Sequence, residues 1–437
     1  MPNRFLLGLS VFVCAYGCAA TRSTVDDAIE TPVVDHDWSE ADEQAVEELE
    51  SAWASTAYPE DIAYADSQER GSLLQVYVFD IGQADAMLVI GPGTEPKTLL
   101  MDLGHPSGGV RPRRAQNADY VYRRIVALTG KTYVDYFVLS HYHADHAGRG
   151  ESKQQGWGTG IIKLLSDRSF EFSVREFIHI GNRGARYMKP STKRGVYNTI
   201  MKRMPLWKRH GRVGKSVSPS FGTGQIDLGP GITVEILSFA GVVPSGQSAF
   251  DSAIAAGIDY SSTPGNENDL SIALEISAGE FEMFTAGDLN GTDDPQRRPL
   301  YVSRRWGEIY TNIEHHMVDY WKSVNRESDV EIYRANHHGS GYSSTAKLLE
   351  ALDPEFVLYS TGAQYDHPSD STVIRSGKTA RQLATTAVKN PSLFRNNQGE
   401  VVGEIEIRVA RDGRTYTING ERRSAWDDDS EANGLDD

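Results

Sequence analysis

Cysteine is nearly absent from this chain: of its 437 residues only Cys14 and Cys18 carry a thiol, and both lie close to the N-terminus. No internal disulfide can form beyond that point, so the folded body must stand on its buried core alone. Long apolar runs are equally scarce. Past the N-terminus none is long enough to span a bilayer, and 39% hydrophobic residues with a mean hydropathy of −0.44 describe a soluble globular body. Positive charge is in deficit, with 44 Lys and Arg against 60 Asp and Glu and a formal net charge of −16. Any attraction for a polyanion must therefore be local. No repeat of fixed period occurs, and the length suits one large domain or two ordinary ones.

The first twenty residues form a unit of their own. Arg4 precedes the apolar run Phe5–Val13, and the small residues Gly17, Cys18, Ala19 and Ala20 follow, which is the pattern of a secretory signal. Cys18 after Gly17 also suits a bacterial lipoprotein cleavage site, although Tyr16 is large and Ala15 stands where leucine is expected. The expectation is an exported protein, periplasmic or on the cell surface, lipid-anchored at Cys18 and touching membrane only there. Residues 21–70 read as a flexible acidic tether and 421–437 as an acidic tail, which leaves 71–420 as the folded domain.

Within that domain the densest chemistry is Ser140-His141-Tyr142-His143-Ala144-Asp145-His146. Three imidazoles and a carboxylate follow the apolar run Tyr136–Leu139, which reads as a buried strand. Side chains that resist burial are concentrated at a strand end, and imidazole with carboxylate suits Zn²⁺ and related divalent ions. Two further strands end in the same way. Phe281–Thr285 delivers Asp288 past Gly287, and Ile332–Ala335 delivers His337 and His338 ahead of Gly339 and Ser340. Three such ends close a dinuclear site in which His141, His143 and Asp288 hold one ion. Asp145, His146, Asp288 and one histidine of the second pair hold the other. His337 is nearer its strand and is taken as the ligand, with His338 orienting it or facing substrate. Two Zn²⁺ ions are expected, with Mn²⁺ the alternative.

The rest of the chain reads as a meander from Gln75 to Asp102, a helix over Asn117–Leu128 and later strands interspersed with helices, among them one over Thr379–Ala387. From Arg149 to Lys215 the balance reverses to sixteen bases against four acids. This segment, about 150–220, reads as a basic insertion. Its bases and aromatics, Trp157, Tyr187, Tyr197 and Trp207, suit an anionic, stacked substrate contacted by Arg183 and Arg186, or else a solvated helical face.

These motifs resemble the metallo-β-lactamase superfamily and, within it, the hydrolase domain of the DNA-uptake protein ComEC and its stand-alone relatives. The resemblance rests on Phe79–Asp85, Met101–Gly104, the Ser140–His146 loop, Asn268–Ser271, Ala286–Asp288, His337–Ser340 and Ser360–Ser369. It implies an α+β fold, the αββα four-layer sandwich, with metals at strand ends. It also implies hydrolysis of phosphodiester-type bonds by a hydroxide made at a dinuclear centre, and so an anionic phosphoester or nucleic-acid substrate with no protein partner. Asp145 and His367 would be catalytic, His367 as proton donor or else as a turn residue before Pro368. Ser340 and Ser344 would touch phosphate, though Ser344 equally suits a helix N-cap. Asp102 would position a ligand histidine and Asp85 would support its turn. The chain departs from the pattern at Ala84 and Asp366, where glycine is usual, lacks membrane-channel segments, and shows no third histidine for the first ion. His179 and His210 read as structural, and His105, His315 and His316 carry no role. The same metal pair would serve a lactone or thioester hydrolase, and a non-catalytic surface-binding lipoprotein could keep the fold. If Cys18 is the cleavage site, the N-terminal peptide of protein recovered from membranes will lack Cys14 by mass spectrometry; intact Cys14 refutes processing there.

Overall fold

Residues 72–424 are described by a computed structural model, except 106–110, 151–157, 189–192, 256, 258, 261–263, 294–299, 304–307, 327, 363–366, 387–394, 398 and 402. The expected signal, acidic tether and most of the acidic tail lie outside the described residues. In chain order the elements begin with β1 (Ser72–Val78), β2 (Met87–Ile90), β3 (Thr98–Met101), α1 (Arg111–Thr129), β4 (Tyr133–Val138), α2 (Ala144–Ala147) and α3 (Gly160–Ser166). They continue with β5 (Ser173–Ile178), α4 (Asn198–Arg209), β6 (Val213–Val217), β7 (Ile232–Ser238), α5 (Ala249–Ala255), β8 (Ala273–Ala278) and β9 (Phe281–Thr285). Then come β10 (Leu300–Ser303), β11 (Glu308–Thr311), α6 (Ile313–Ser323), β12 (Ile332–Arg334), α7 (Ala346–Leu352), β13 (Phe356–Tyr359) and α8 (Asp370–Thr379). The chain closes with β14 (Gln382–Thr385), β15 (Gly399–Val401), β16 (Ile405–Ala410), β17 (Thr415–Ile418) and β18 (Glu421–Ser424).

Two mixed sheets result. Sheet 1 has the order β18-β17-β16-β1-β2-β3-β4-β5-β6 and sheet 2 the order β15-β14-β13-β12-β9-β8-β7. Short turns make the β1-β2-β3 meander antiparallel, while the crossover through α1 makes β3 and β4 parallel. Strands covered on both faces must be apolar throughout, and β2, β3 and β13 are buried along their whole length.

Alternation along β12 and β13 sets the layers. Ile332 and Leu358 face sheet 1 and join the apolar cluster containing Val76, Val138 and Ile407, together with Val121, Ile125, Ile161 and Ile200 of the helices outside sheet 1. Tyr333 and Val357 turn the other way, onto Met317, Trp321, Leu348 and Val373 of α6, α7 and α8. The order helix, sheet, sheet, helix is the expected αββα four-layer sandwich. Among the described residues no helix is long and apolar enough to cross a membrane.

Two expectations change. Within the basic segment 150–220, β5 and β6 extend sheet 1 in parallel, and Phe177 packs on Phe137 with ring centroids 4.8 Å apart. The helix expected over 379–387 lies earlier, as α8, started by the Ser369 side chain accepting from the Thr372 N–H. Residues 382–385 instead form β14, because pairing between β13 and β15 with burial of Leu383 and Ala384 overrides their local preference. The tail begins with a strand, β18, paired to β17. Phe177→Ala should cost about 3–5 kcal/mol in denaturant unfolding, since the residue is core; a change near zero would return the segment to a peripheral role.

Candidate metal centre

Strands β3, β4, β9, β12 and β13 all point their carboxyl ends at one rim, where ligands of open α/β sheets commonly bind. At the end of β3, Asp102 adopts a left-handed φ of 59°, which turns its carboxylate inward. That carboxylate accepts the Ser140 N–H at 2.8 Å and the Ser140 hydroxyl at 2.6 Å, and lies 2.8 Å from His146 Nδ1. With Nδ1 held, His146 presents Nε2 to Asp288 Oδ1 at 3.0 Å. His141 has its Nδ1 beside the hydroxyls of Ser140 and Ser271, at 3.1 and 3.3 Å, and its Nε2 3.8 Å from Asp288 Oδ2. His143 is one-third exposed and lies 3.8 Å from Glu267 Oε2.

Asp288 leaves β9 through Gly287, whose φ is +52° and where a Cβ would come 2.6 Å from Ser140 Cβ. Only glycine allows so close an approach. The Asp288 N–H donates to Ser271 Oγ at 3.1 Å. After β12, His337 and His338 both adopt left-handed φ, 50° and 53°, a strain that non-glycine residues hold only where their surroundings enforce it. Glu314 of α6 does so from beneath, accepting Asn336 Nδ2 at 2.8 Å, Ser344 N–H at 2.7 Å and Thr345 N–H at 2.9 Å.

That turn reverses the expected roles of the pair. His338 is the buried one: its Nδ1 lies 2.8 Å from the Ser360 carbonyl, and its Nε2 lies 3.6 Å from Asp145 Oδ2 and 3.9 Å from Asp288 Oδ1. His337 is one-fifth exposed and touches Asn268 Nδ2 and Asn290 Oδ1, each at 3.2 Å, with Nε2 3.8 Å from Asp288 Oδ2. The Asp288 carboxylate therefore has two faces. Oδ1 meets His146 and His338, Oδ2 meets His141 and His337, and the groups able to hold an ion share it: Asp85, His146, Asp288 and His338 on one side, His141, His143 and Asp288 on the other.

The donor set fits divalent ions. Among the described residues the Nε2 atoms of His141, His146 and His338 and the Oδ1 of Asp288 are buried without a properly formed hydrogen bond, a condition that ordinarily signals an ion or water. Burial opposes ionisation of Asp288, yet His146, His337 and His338 hold its carboxyl well below the usual range. Burial, reinforced by His146 and His143, keeps His141 neutral as a ligand must be. His146 and His338 are raised despite burial by the carboxylates around them, so each holds a proton that a cation would displace. Asp85, a member of the same donor group, sits 3.5 Å from the Nδ1 atoms of His146 and His338 and pairs with Arg334.

Of the other expected residues, Asp145 faces the centre with a partly exposed carboxylate. The His367 ring lies 5.7 Å from that of His337 and 6.3 Å from that of His338, and burial, then those two rings, pushes it down to about 3. These surroundings favour its neutral form. Ser344 is buried with its hydroxyl on Tyr333, and the cap of α7 is Thr345. Ser340 is buried, its hydroxyl accepting the Tyr342 N–H at 3.3 Å. Arg183 donates to the Pro219 carbonyl at 3.2 Å and lies over Phe239, while Arg186 lies over Tyr187 and pairs with Asp251 at 3.3 Å. Neither guanidinium joins the histidines. Trp207 and Tyr187 are core, and Trp157 lies outside the described residues. His179 is structural, held between Tyr142 Oη at 2.7 Å and Ser216 Oγ at 2.9 Å.

Sequence reasoning missed Glu267, Asn290, Glu314 and Arg334, and named Ser271 without a role. Glu314 did leave a signal, since it shares with Val318 and Trp321 the buried face of its helix.

Fold and site together define a four-layer αββα protein with a candidate two-metal centre. No protein-family model and no curated protein matches the chain. Among solved structures it is similar to the metallo-beta-lactamase fold protein YhfI from Bacillus subtilis, at 10% identity over 71% of this chain and 94% of that one, TM-score 0.34. It is also similar to Zn²⁺-bound PqqB from Methylobacterium extorquens, at 10% identity over 75% and 97%, TM-score 0.36. Human tRNase Z, short form, matches at 11% identity over 71% and 91%, TM-score 0.30.

Asp288→Asn keeps the shape and removes the shared charge. Elemental analysis of dialysed protein should then find fewer than two ions per chain, and Gly287→Ala should act in the same direction by displacing Asp288; two ions retained in both variants would exclude the shared carboxylate.

Proposed function

We propose that this protein is an exported, metal-dependent phosphodiesterase or nuclease, lipid-anchored at Cys18, working through two divalent ions at the Asp288 centre. The observation that carries the reading is the carboxylate of Asp288 placed between two sets of imidazoles, with one side of the centre left open and lined by His143, Asp145 and His337. His141 and His143 would hold one ion, and His146 and His338 the other. When bound, such a pair supplies Lewis acidity and hydroxide near neutral pH.

The chain's own residues supply the rest. Asp145, partly exposed beside His338, orients the attacking water by accepting its hydrogen bond. His337, steadied by Asn268 and Asn290, faces the position of a phosphoryl oxygen. His367, neutral, offers an N–H to the leaving oxygen instead of a full proton. The bond that forms is water oxygen to phosphorus, the bond that breaks is phosphorus to the leaving oxygen, and the water's proton ends on solvent or on that oxygen. The likeness of the Gly82–Asp85 turn and the Ser360–Ser369 stretch to ComEC-type hydrolases supports a nucleic-acid substrate. Arg183 and Arg186 add no support to it, because their contacts lie with Pro219 and Asp251.

The test is a panel of bis-p-nitrophenyl phosphate, single-stranded DNA, a lactone and a β-lactam, each with Zn²⁺ and with Mn²⁺. Turnover of the phosphodiester or the DNA is expected, and of the lactone alone would move the enzyme to another substrate class. No turnover with either metal leaves a binding protein. In the active case Asp288→Ala and His338→Ala should each lower kcat/KM by about 10³-fold or more, and His367→Gln by about 10²-fold.

A further inference from the structure

The last residue of β12 is a guanidinium inside the sandwich. Alternation along this short strand points Ile332 toward sheet 1 and Tyr333 toward the helices, so Arg334 shares the inward face with Ile332. Arg334 and Asp85 are each only 2% exposed. One guanidinium nitrogen donates to Thr285 Oγ1 of the neighbouring β9 at 2.9 Å, and the other pairs with Asp85 Oδ2 across the gap between the sheets.

Asp85 belongs to the turn between β1 and β2, on the opposite layer. Its N–H donates to the Asp145 carbonyl at 2.9 Å and its own carbonyl accepts the Gly104 N–H at 3.1 Å, which ties it to both loops beside the centre. Its carboxylate oxygens lie 3.5 Å from His146 Nδ1 and 3.5 Å from His338 Nδ1. His146 arrives from sheet 1 and His338 from sheet 2. One ion pair thus bridges the two layers beside the Nδ1 atoms of two rings that meet at Asp288.

Stability alone does not account for it. Two charges taken out of water recover their desolvation only when every remaining hydrogen-bonding atom is satisfied, and an apolar pair of equal volume often serves better. Here, among the described residues, Asp85 Oδ1 and Arg334 Nε have no hydrogen-bond partner. What the pair supplies is a distance: it sets how far the sheet 1 loop stands from the sheet 2 loop.

We propose that Arg334 and Asp85 form a strut between the sheets that fixes the span from His146 to His338, making Arg334 a positioning residue for the second ion. This rests on the two-ion reading of the centre and not on the bond that it cleaves.

The experiment measures zinc per chain, and the affinity of each ion by chelator competition, on the full chain, on Arg334→Met and on Arg334→Lys, with circular dichroism to establish folding; both variants leave Asp85 in the donor group. Arg334→Met should fold, keep one tight ion and bind the second about 10–100-fold more weakly, with Arg334→Lys between it and the unaltered chain. Two ions held at unchanged affinity in folded Arg334→Met would make the pair merely structural and overturn the proposal. Should Arg334→Met not fold, Arg334→Lys decides: a weakened second ion supports the strut and an unchanged one overturns it. Fewer than two ions in the unaltered chain would overturn the two-ion reading itself, and this inference with it.

Discussion

A carboxylate with imidazoles on both of its oxygens, sealed from water, is costly to build, and the surrounding molecule is arranged around that cost. Asp288 is held ionised by rings on either side, and each ring is in turn fixed through its other nitrogen: His146 by Asp102, His141 by Ser140 and Ser271, His338 by the Ser360 carbonyl. Remove any of these supports and a buried polar group loses its partner, which is the expensive event in a protein interior. The strained turns at Asp102, His337 and His338 belong to the same account, because each trades backbone comfort for the aim of one side chain.

The architecture makes this placement available at little extra expense. Parallel strands joined by outer helices bring several carboxyl ends to a common rim, and loops there can vary without disturbing the apolar layers beneath. The glycines at the rim are where the loops pass closest. A Cβ at Gly104 would fall 1.6 Å from the Asp145 carbonyl oxygen, which explains how the β3 turn nests under the histidine loop.

Much of this is legible in the sequence. Apolar-rich runs such as Phe281–Thr285 and Phe356–Tyr359 announce buried strands, and a strand running into His-x-His-x-Asp-His announces its own chemistry. Other features were hidden for physical reasons. The order of two adjacent histidines along the chain says nothing about which ring turns inward once both residues are left-handed, so His338 displaced His337. A surplus of bases from 149 to 215 looked like a surface, yet the apolar residues between them, Val174, Phe177 and Ile178, were building two more strands. Gln382–Thr385 has a single β-branched residue, Thr385, and becomes a strand between β13 and β15. Arg334 and Glu314 carry charges that a sequence reader places in solvent, and only the packed layers reveal that both are enclosed.

The pairing of β1 with β16 has a consequence for how the chain matures. Val76 meets Ile407 only after all the intervening polypeptide exists, and until then one edge of β1 waits without its neighbour. An open edge of that kind recruits foreign strands, and contacts this distant in sequence close late. A ribosome therefore delivers the protecting strand long after β1, and chaperoning of the nascent chain would matter most in that interval.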